Sequence, residues 1–105
     1  MKERIEIKIK WSKKTDSGFD WINIDKFGER LGKVRCLIKE NEIIIYSLNI
    51  FSEYEGNGYA RYIIDYLKST GKVLIADRVR YSARGFWKKM GFIHFKDGDY
   101  IFREP

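Results

Sequence analysis

The sequence has few of the features that mark secreted or membrane-bound proteins. It holds a single cysteine, which cannot form an internal disulfide. We therefore interpret Cys36 as a reduced strand residue of a cytosolic protein, and a reactive thiol is the alternative. No apolar run follows Met1, which argues against a secretory signal, and no stretch is long enough to cross a bilayer. We expect a cytoplasmic protein with no membrane partner and no metal ion.

Linkers, internal repeats and low-complexity tracts are also absent from the sequence. A chain of 105 residues has the size of one domain, so we interpret residues 1–105 as a single folding unit. Hydrophobic residues make up 44% of the chain and aromatic residues 16%. This content is sufficient for a packed core and argues against disorder.

The chain has fewer acidic residues than basic ones, 15 against 21. The formal net charge is +6 and the isoelectric point is about 9.4. Because the basic residues are scattered along the chain, we interpret most of them as a solvated surface, with an anionic partner as the alternative. The densest basic group is Arg78, Arg80, Arg84, Lys88 and Lys89.

The first half of the chain shows the patterns of β-strands. Residues 4 to 11 alternate apolar and charged side chains, which predicts a half-buried strand with Trp11 on its apolar face. Apolar runs separated by a turn at Glu40-Asn41 predict strands at residues 19 to 24, 34 to 38 and 42 to 51. Residues 25 to 32 fit one helical turn that Gly32 would end.

Helical periodicity appears in the second half of the chain. Apolar residues spaced at i, i+3, i+4 and i+7 predict a helix from about Gly58 to Ser69, and Ser82 is positioned to cap a second helix that ends at Gly91. Short strands are predicted at residues 73 to 76, 92 to 95 and 100 to 103. This order predicts the α/β (α+β) class, with a mixed, mostly antiparallel sheet, one parallel crossover and about two main helices.

A glycine-containing turn joins the strand at residues 42 to 51 to the first helix. The turn reads Glu55-Gly56-Asn57-Gly58 and is followed directly by the helical pattern. Such a turn presents several backbone N–H groups to one point, and the helix dipole adds partial positive charge there. The pattern therefore predicts an anion site, most often one for a phosphate, and a plain strand-to-helix turn is the alternative.

Two segments together resemble the GNAT superfamily of acyl-CoA-dependent N-acyltransferases. The first is Glu55 to Ala60, which is similar to the pyrophosphate-binding signature Q/R-x-x-G-x-G/A. The second is similar to the family's later signature of an alanine, an aromatic residue and a Gly-Phe pair, here Ala83, Trp87, Gly91 and Phe92. The resemblance covers roughly residues 33 to 95 and implies a GNAT-like fold.

The resemblance also implies an activity and a set of cofactor contacts. It implies an acetyl-CoA-dependent N-acetyltransferase with an unidentified primary amine as acceptor. In the family, a splayed central strand offers backbone groups to the thioester carbonyl and the glycine turn holds the pyrophosphate. The cofactor-binding residues implied are Asn49, Ile50, Glu55, Gly56, Asn57, Gly58, Tyr59, Ala60, Arg61, Arg84, Trp87 and Lys88.

The catalytic groups are less well marked. Glu42 and Glu53 are the carboxylates at the two ends of the central strand, and either could act as general base through a water molecule. The family's tyrosine acid aligns with Trp87, whose indole N–H can only hydrogen-bond, so Tyr81 is the candidate donor. His94, the only histidine, lies on a terminal strand, where we favour a surface or structural role.

Several departures from the family pattern keep other functions open. Glu55 stands where the family has Gln or Arg, and Arg80 stands where it often has Asn. They favour, as the second hypothesis, a degenerate module that binds CoA or a partner. A small basic nucleic-acid-binding protein is the third hypothesis.

The connection between the first two strands is short. Only residues 12 to 18 fill the gap where the family usually has one or two helices. We therefore expect an open acceptor groove, which would suit a protein or polyamine end. Unpaired edge strands also make a homodimer a reasonable expectation.

Overall fold

A seven-stranded mixed sheet carrying two helices forms the fold. The computed structural model describes residues 4–12 and 18–104. The strands are β1 (Ile5–Lys10), β2 (Asp20–Lys26), β3 (Glu29–Ile38), β4 (Glu42–Ile50), β5 (Val73–Ala76), β6 (Ile93–His94) and β7 (Tyr100–Phe102), and the helices are α1 (Tyr59–Lys68) and α2 (Arg84–Lys89). The predicted fold class is confirmed. Most of the short connection between β1 and β2, residues 13–17, lies outside the described residues.

The strand order is β1-β2-β3-β4-β5-β7-β6. Every neighbouring pair is antiparallel except β4 and β5, which run parallel and are joined through α1. The predicted crossover is therefore confirmed. Among the described helices, none combines the length and apolar character needed to cross a bilayer.

The predicted helical turn at residues 25 to 32 is wrong. The chain forms a tight β2–β3 hairpin there, with Phe27 (φ 50°) and Gly28 (φ 80°) as its two central residues. Positive φ at both positions is the geometry of a type I′ turn, which matches the twist of the flanking strands. Charged residues occupy the end of β2 and the start of β3, so the apolar–polar alternation of a strand is not visible there. The two strands are therefore longer than the sequence predicts.

Both helices pack on one face of the sheet. Ile63, Ile64 and Leu67 of α1 are fully buried there, and Trp87 and Met90 at the second helix are buried as well. They meet the inward residues of the strands, chiefly Ile22, Ile24, Val34, Cys36, Ile43, Ile45, Leu74 and Ala76. The helical periodicity predicted this packing. In β1 the charged residues are exposed and alternate with partly buried isoleucines, as expected.

Two local predictions are wrong at the ends of elements. Trp11 is 44% exposed, because β1 ends at Lys10 and the alternation stops before the indole. Ser82 does not cap α2. It lies inside a short 3-10 turn, Tyr81–Ala83, and the residue before the helix is Ala83, with no side-chain cap.

A β-bulge divides the central strand β4. Cys36 faces Ile45 across the β3–β4 ladder and Arg35 faces Ser47, so Tyr46 is the extra residue. The insertion changes which alternate residues face the helices. Ile45 lies on the core face before the bulge, and Leu48 packs against the same core after it.

We expect Gly32→Ala to distort β4. A Cβ at Gly32 would press on the Asn49 carbonyl oxygen and would lie 3.0 Å from the Ile50 Cα, so backbone atoms must move. Overpacking of this kind costs about 1–3 kcal/mol, measured as the loss of unfolding free energy in urea. Gly85→Ala is the matched control, because a Cβ there meets nothing within 4 Å. Equal stability of the two variants would contradict the close β3–β4 approach.

Candidate functional site

The sheet opens between β4 and the chain that follows β5. Parallel pairing of these strands extends only from Glu42 to Ile45 on β4. Its last bond is donated by the Asp77 N–H to the Ile45 carbonyl oxygen, at 2.9 Å. Beyond this point β4 continues to Ile50, paired only with β3. One edge of the central strand is therefore free of sheet bonds from Tyr46 onward.

Two local features open this gap. The bulge at Tyr46 bends β4 on one side. On the other side, Arg78 adopts φ 46°, a left-handed conformation uncommon for a non-glycine residue, and turns the chain away. Its N–H donates to the Asp99 carboxylate at 2.8 Å, and the next N–H, of Val79, donates to the Gly98 carbonyl oxygen at 2.8 Å. The turn before β7 therefore holds the diverging segment in place.

A cavity of about 750 Å³ fills the gap. Its size is within the range of small-molecule and cofactor sites. The cavity is reached from both faces of the sheet, since Ala60, Phe86 and Trp87 line it beside the helices and Lys33 and Arg35 line it on the opposite face. The complete described lining is Trp21, Lys33, Arg35, Ile45, Tyr46, Ser47, Leu48, Asn49, Ile50, Glu55, Ala60, Ala76, Asp77, Arg78, Val79, Arg80, Ser82, Ala83, Phe86 and Trp87.

The open edge of β4 directs backbone groups into the cavity. The Phe51 N–H donates to the Leu31 carbonyl oxygen at 2.9 Å, so the backbone of Phe51 faces β3. Because alternate residues of an antiparallel strand direct their N–H and C=O to the same side, Ile50 and Leu48 direct theirs to the open edge. Asn49, named alongside Ile50 from the sequence, directs its backbone to β3 instead and lines the cavity with its exposed side chain.

Next to this edge, the glycine turn leaves the first N–H groups of α1 available. Gly56 and Gly58 have φ of 81° and 80°, a left-handed conformation that favours glycine. Asn57 Nδ2 donates to the carbonyl oxygens of Tyr54 (3.1 Å) and Glu55 (3.3 Å), which fixes the turn. Gly58 precedes the helix, and no side chain caps it. An anion can therefore occupy the position that a capping side chain would take.

Basic side chains lie around the cavity and α2. Arg80 and Arg78 line the cavity. Arg84 lies just outside it, with its guanidinium 5.1 Å from the Tyr81 ring centroid and its buried Nε without a hydrogen-bond partner in the described chain. Lys88 and Arg61 are exposed on the two helices. Of the basic residues noted in the sequence, Arg78 and Arg80 therefore line the cavity, whereas Arg61, Arg84 and Lys88 are not among its described lining residues.

Aromatic packing defines the helix side of the site. Trp87 is buried and lines the cavity, with its ring 5.3 Å from Phe86 and 4.8 Å from Phe92 in edge-to-face contacts. Tyr59 is also buried, and its hydroxyl accepts a hydrogen bond from Lys26 Nζ at 3.2 Å. The Tyr59 side chain therefore belongs to the core, and only its backbone faces the turn.

The structure separates the catalytic candidates from one another. Glu42 lies at the far end of β4, beside a second cavity and 3.9 Å from Lys39 Nζ. Glu53 is exposed on a 3-10 turn, Ser52–Tyr54, and does not line the main cavity. Tyr81 is 84% exposed and stacks on Arg84 instead of entering the cavity. His94 is exposed, and its Nε2 lies 2.6 Å from the Asp97 carbonyl oxygen.

Asp77 is a cavity carboxylate that the sequence analysis missed. It follows β5 directly, lines the gap where β4 and β5 part, and lies 3.4 Å from Arg78 Nε. An acidic residue directly after a short buried strand was the available signal, because strand ends commonly position functional groups. Trp21, Lys33 and Arg35 were also missed, because their positions depend on strand register rather than on local pattern.

The strand position predicted for Cys36 is confirmed, since the residue lies in β3. Its side chain is fully buried and Sγ lies 3.6 Å from the Asp20 carbonyl oxygen. Burial, with a smaller contribution from the nearby Asp20 charge, raises the pKa of the Cys36 thiol to about 12. The thiol therefore stays protonated near neutral pH and is a poor nucleophile.

Comparison with known sequences gives one short match. No family model matches the chain. A segment of 54 residues is 30% identical to an uncharacterized N-acetyltransferase of Oceanobacillus iheyensis and covers 51% of this chain. The match spans 33% of that relative's length.

Solved acetyltransferase structures match most of the chain. The Bacillus subtilis N-acetyltransferase YlbP in complex with coenzyme A superposes with a TM-score of 0.66, at 16% identity over 80% of this chain and 67% of that one. AtaTR bound with acetyl-CoA gives a TM-score of 0.70, at 13% identity over 93% of this chain and 92% of that one. An acetyltransferase from Thermus thermophilus gives a TM-score of 0.68, at 16% identity over 87% of this chain and 68% of that one.

The chain has the GNAT fold. These likenesses cover 80%, 93% and 87% of this chain. Trp87 and Glu55, the two residues that differ from the signatures described from the sequence, both line the cavity.

Proposed function

We propose that the protein is an acetyl-CoA-dependent N-acetyltransferase that acetylates a primary amine. One observation carries the proposal: the cavity at the open edge of β4 includes Glu55 and Ala60, on either side of the uncapped N-terminus of α1. A long ligand with a reactive end and a phosphate segment fits this arrangement. The matched proteins with coenzyme A or acetyl-CoA bound support the same ligand class.

Acetyl-CoA would be held mainly by backbone groups. Its pyrophosphate would accept hydrogen bonds from the N–H groups of Gly56 to Ala60, where the positive end of the α1 dipole adds to the attraction. Its thioester carbonyl would lie beside the open edge of β4. There the N–H groups of Leu48 and Ile50 stabilise negative charge as it develops on the oxygen.

The acceptor amine must lose a proton to react. Asp77 is our candidate for the proton acceptor, directly or through one water molecule, because it lines the cavity where the strands diverge. The amine nitrogen bonds to the carbonyl carbon, the carbon–sulfur bond breaks, and the thiolate leaves. We propose that solvent protonates the thiolate, since the Trp87 indole has no acidic proton to give and a free thiol has a pKa of about 8.5.

A CoA-binding module without catalytic activity is the second candidate function. The observation that favours it is Glu55, whose exposed carboxylate lines the cavity beside the phosphate turn and would repel a pyrophosphate. Trp87 favours it as well, because a tryptophan replaces the usual acid. Both candidates use the same cavity and differ in whether an amine is acetylated.

Calorimetric titration with acetyl-CoA, at low and at physiological salt, is the first test. We expect saturable one-to-one binding that survives physiological salt, since the backbone contacts are specific while screening weakens only exposed charges. Thiol release is then measured across a panel of primary amines. Binding with amine-dependent release supports the acetyltransferase. Binding without release supports the inactive module, and absence of binding contradicts both.

A further inference from the structure

We infer that the acceptor amine also carries an oxyanion, a carboxylate or a phosphate, and that Arg35 binds it on the sheet face opposite the helices. This inference rests on the proposed function. It assigns the acceptor to the part of the cavity that the acetyl-CoA contacts leave unused, and it names the chemical class of that second substrate.

The strand register forms a polar surface beside the gap. Arg35 is paired with Trp21 on β2 and with Ser47 on β4, so the three side chains form one row across the sheet. Arg35 lies between the buried Val34 and Cys36 and therefore faces away from α1 and α2. In the described part of the chain, both helices pack on the other face, so this surface is open to a ligand.

Arg35 is positioned but has no anionic partner. Its guanidinium carbon lies 4.9 Å from the Phe19 ring centroid, and Phe19 in turn packs edge-on against Tyr46 at 5.2 Å. Its Nε is buried without a hydrogen-bond partner, and no carboxylate of the described residues lies within ion-pair distance. A buried donor left unpaired is costly, and a planar guanidinium binds carboxylate or phosphate in two-point fashion. Arg35 lines the cavity, and an oxyanion of the acceptor bound there would pair with its guanidinium.

A second cation lies beside Arg35. Lys33 Nζ sits 5.1 Å from the Trp21 ring centroid, and no carboxylate of the described chain pairs with it either. Lining cations outnumber lining carboxylates by four to two in the described cavity: Lys33, Arg35, Arg78 and Arg80 against Glu55 and Asp77. This balance repels a polyamine, which the open groove alone would admit, and attracts an acceptor that carries negative charge.

The position of Arg35 also limits the length of the acceptor. Its partner Ser47 directly follows the bulge and directly precedes Leu48, whose N–H faces the proposed thioester position. Paired Cα atoms of neighbouring strands lie about 4.5–5.5 Å apart. Because Arg35 and the open edge of β4 lie on neighbouring strands, we infer a short acceptor, such as an amino acid or an aminoalkyl phosphate.

The test compares acceptors that carry the anion with matched acceptors that lack it. Glycine and β-alanine are paired with their amides, and 2-aminoethyl phosphate is paired with ethanolamine. We expect a kcat/KM at least about tenfold higher for the anionic member of a pair, the usual advantage of a charge-assisted contact. The carboxylate and phosphate arms identify which oxyanion is preferred.

Variants of Arg35 test whether this residue causes the preference for anionic acceptors. Arg35→Gln is expected to remove most of the preference through KM, to leave kcat within about twofold and to leave the Kd for acetyl-CoA unchanged, while Arg35→Lys retains part of it. Lys39→Gln is the matched control, because it removes a cation beside the second cavity. Equal kcat/KM for charged and neutral acceptors, or an anion preference that survives in Arg35→Gln, would overturn the inference.

A binding arm separates this inference from the proposed function. Each anionic amine is titrated by NMR into the protein with saturating coenzyme A, for wild type and Arg35→Gln. If no amine is acetylated, the proposed function fails, yet anionic binding that disappears in the variant still supports the subsite. Absence of binding by every small anionic amine, or salt-sensitive binding of an RNA oligonucleotide alone, overturns it.

Discussion

Gly58→Glu is expected to abolish measurable acetyl-CoA binding. The substitution places a carboxylate at the turn where we propose the pyrophosphate is held, at a position where a Cβ meets nothing within 4 Å. Two like charges about 4 Å apart near a protein surface repel by up to about 4 kcal/mol. We therefore expect the calorimetric Kd to rise about 100-fold or more.

Backbone strain has to be separated from charge in this experiment. Gly58 has φ +80°, so any larger residue is strained there by about 1–2 kcal/mol. Gly28→Glu is the matched control, because Gly28 has the same φ and the same open surroundings on the β2–β3 hairpin. Gly58→Lys carries the same strain with the opposite charge and should bind better than Gly58→Glu. Unchanged affinity in Gly58→Glu would remove the phosphate site from this turn.

Asp77→Asn is expected to lower kcat about 100-fold, the usual contribution of a positioned general base. The amide keeps the shape of the carboxylate and loses its capacity to accept the amine proton. The deficit should shrink as the pH is raised toward the pKa of a free amine, about 10, because the acceptor then deprotonates without help. The measurement is a pH–rate profile of thiol release for both proteins.

Asp65→Asn, on the exposed side of α1, controls for the loss of one negative charge. Affinity for acetyl-CoA should stay unchanged in both aspartate variants. A constant deficit across the pH range would show that Asp77 supports the structure of the gap and does not accept the proton.

The elements that the sequence predicted well are those defined by local pattern. The periodicity at Ile63, Ile64 and Leu67 identified α1, and the glycine turn before it was found because positive φ favours glycine. The β2–β3 hairpin was missed for a similar local reason. Its turn pairs Phe27 with Gly28, and phenylalanine is an uncommon choice at positive φ.

The cavity could be predicted only in part, because it is assembled from distant segments. Glu42 and Glu53 were named as equal candidates at the two ends of one strand. Pairing of Ile45 with Ala76 decides which end is closed, and no local pattern contains that register. Arg35 and Asp77 come together across β4 for the same reason. Residues with adjacent roles here are separated by about forty positions in sequence.

The single inserted residue at Tyr46 has a consequence for how such a chain can change. With it, Leu48 and Ile50 face the helices. A deletion at Tyr46 would join Ile45 directly to Ser47, which would still face Arg35 across the β3–β4 ladder. Leu48 and Ile50 would keep their inward positions, because side chains alternate with a period of two. The same deletion would remove the bend that keeps β4 away from the chain after β5. The cleft therefore depends on the inserted residue, while the packing of β4 against the helices does not.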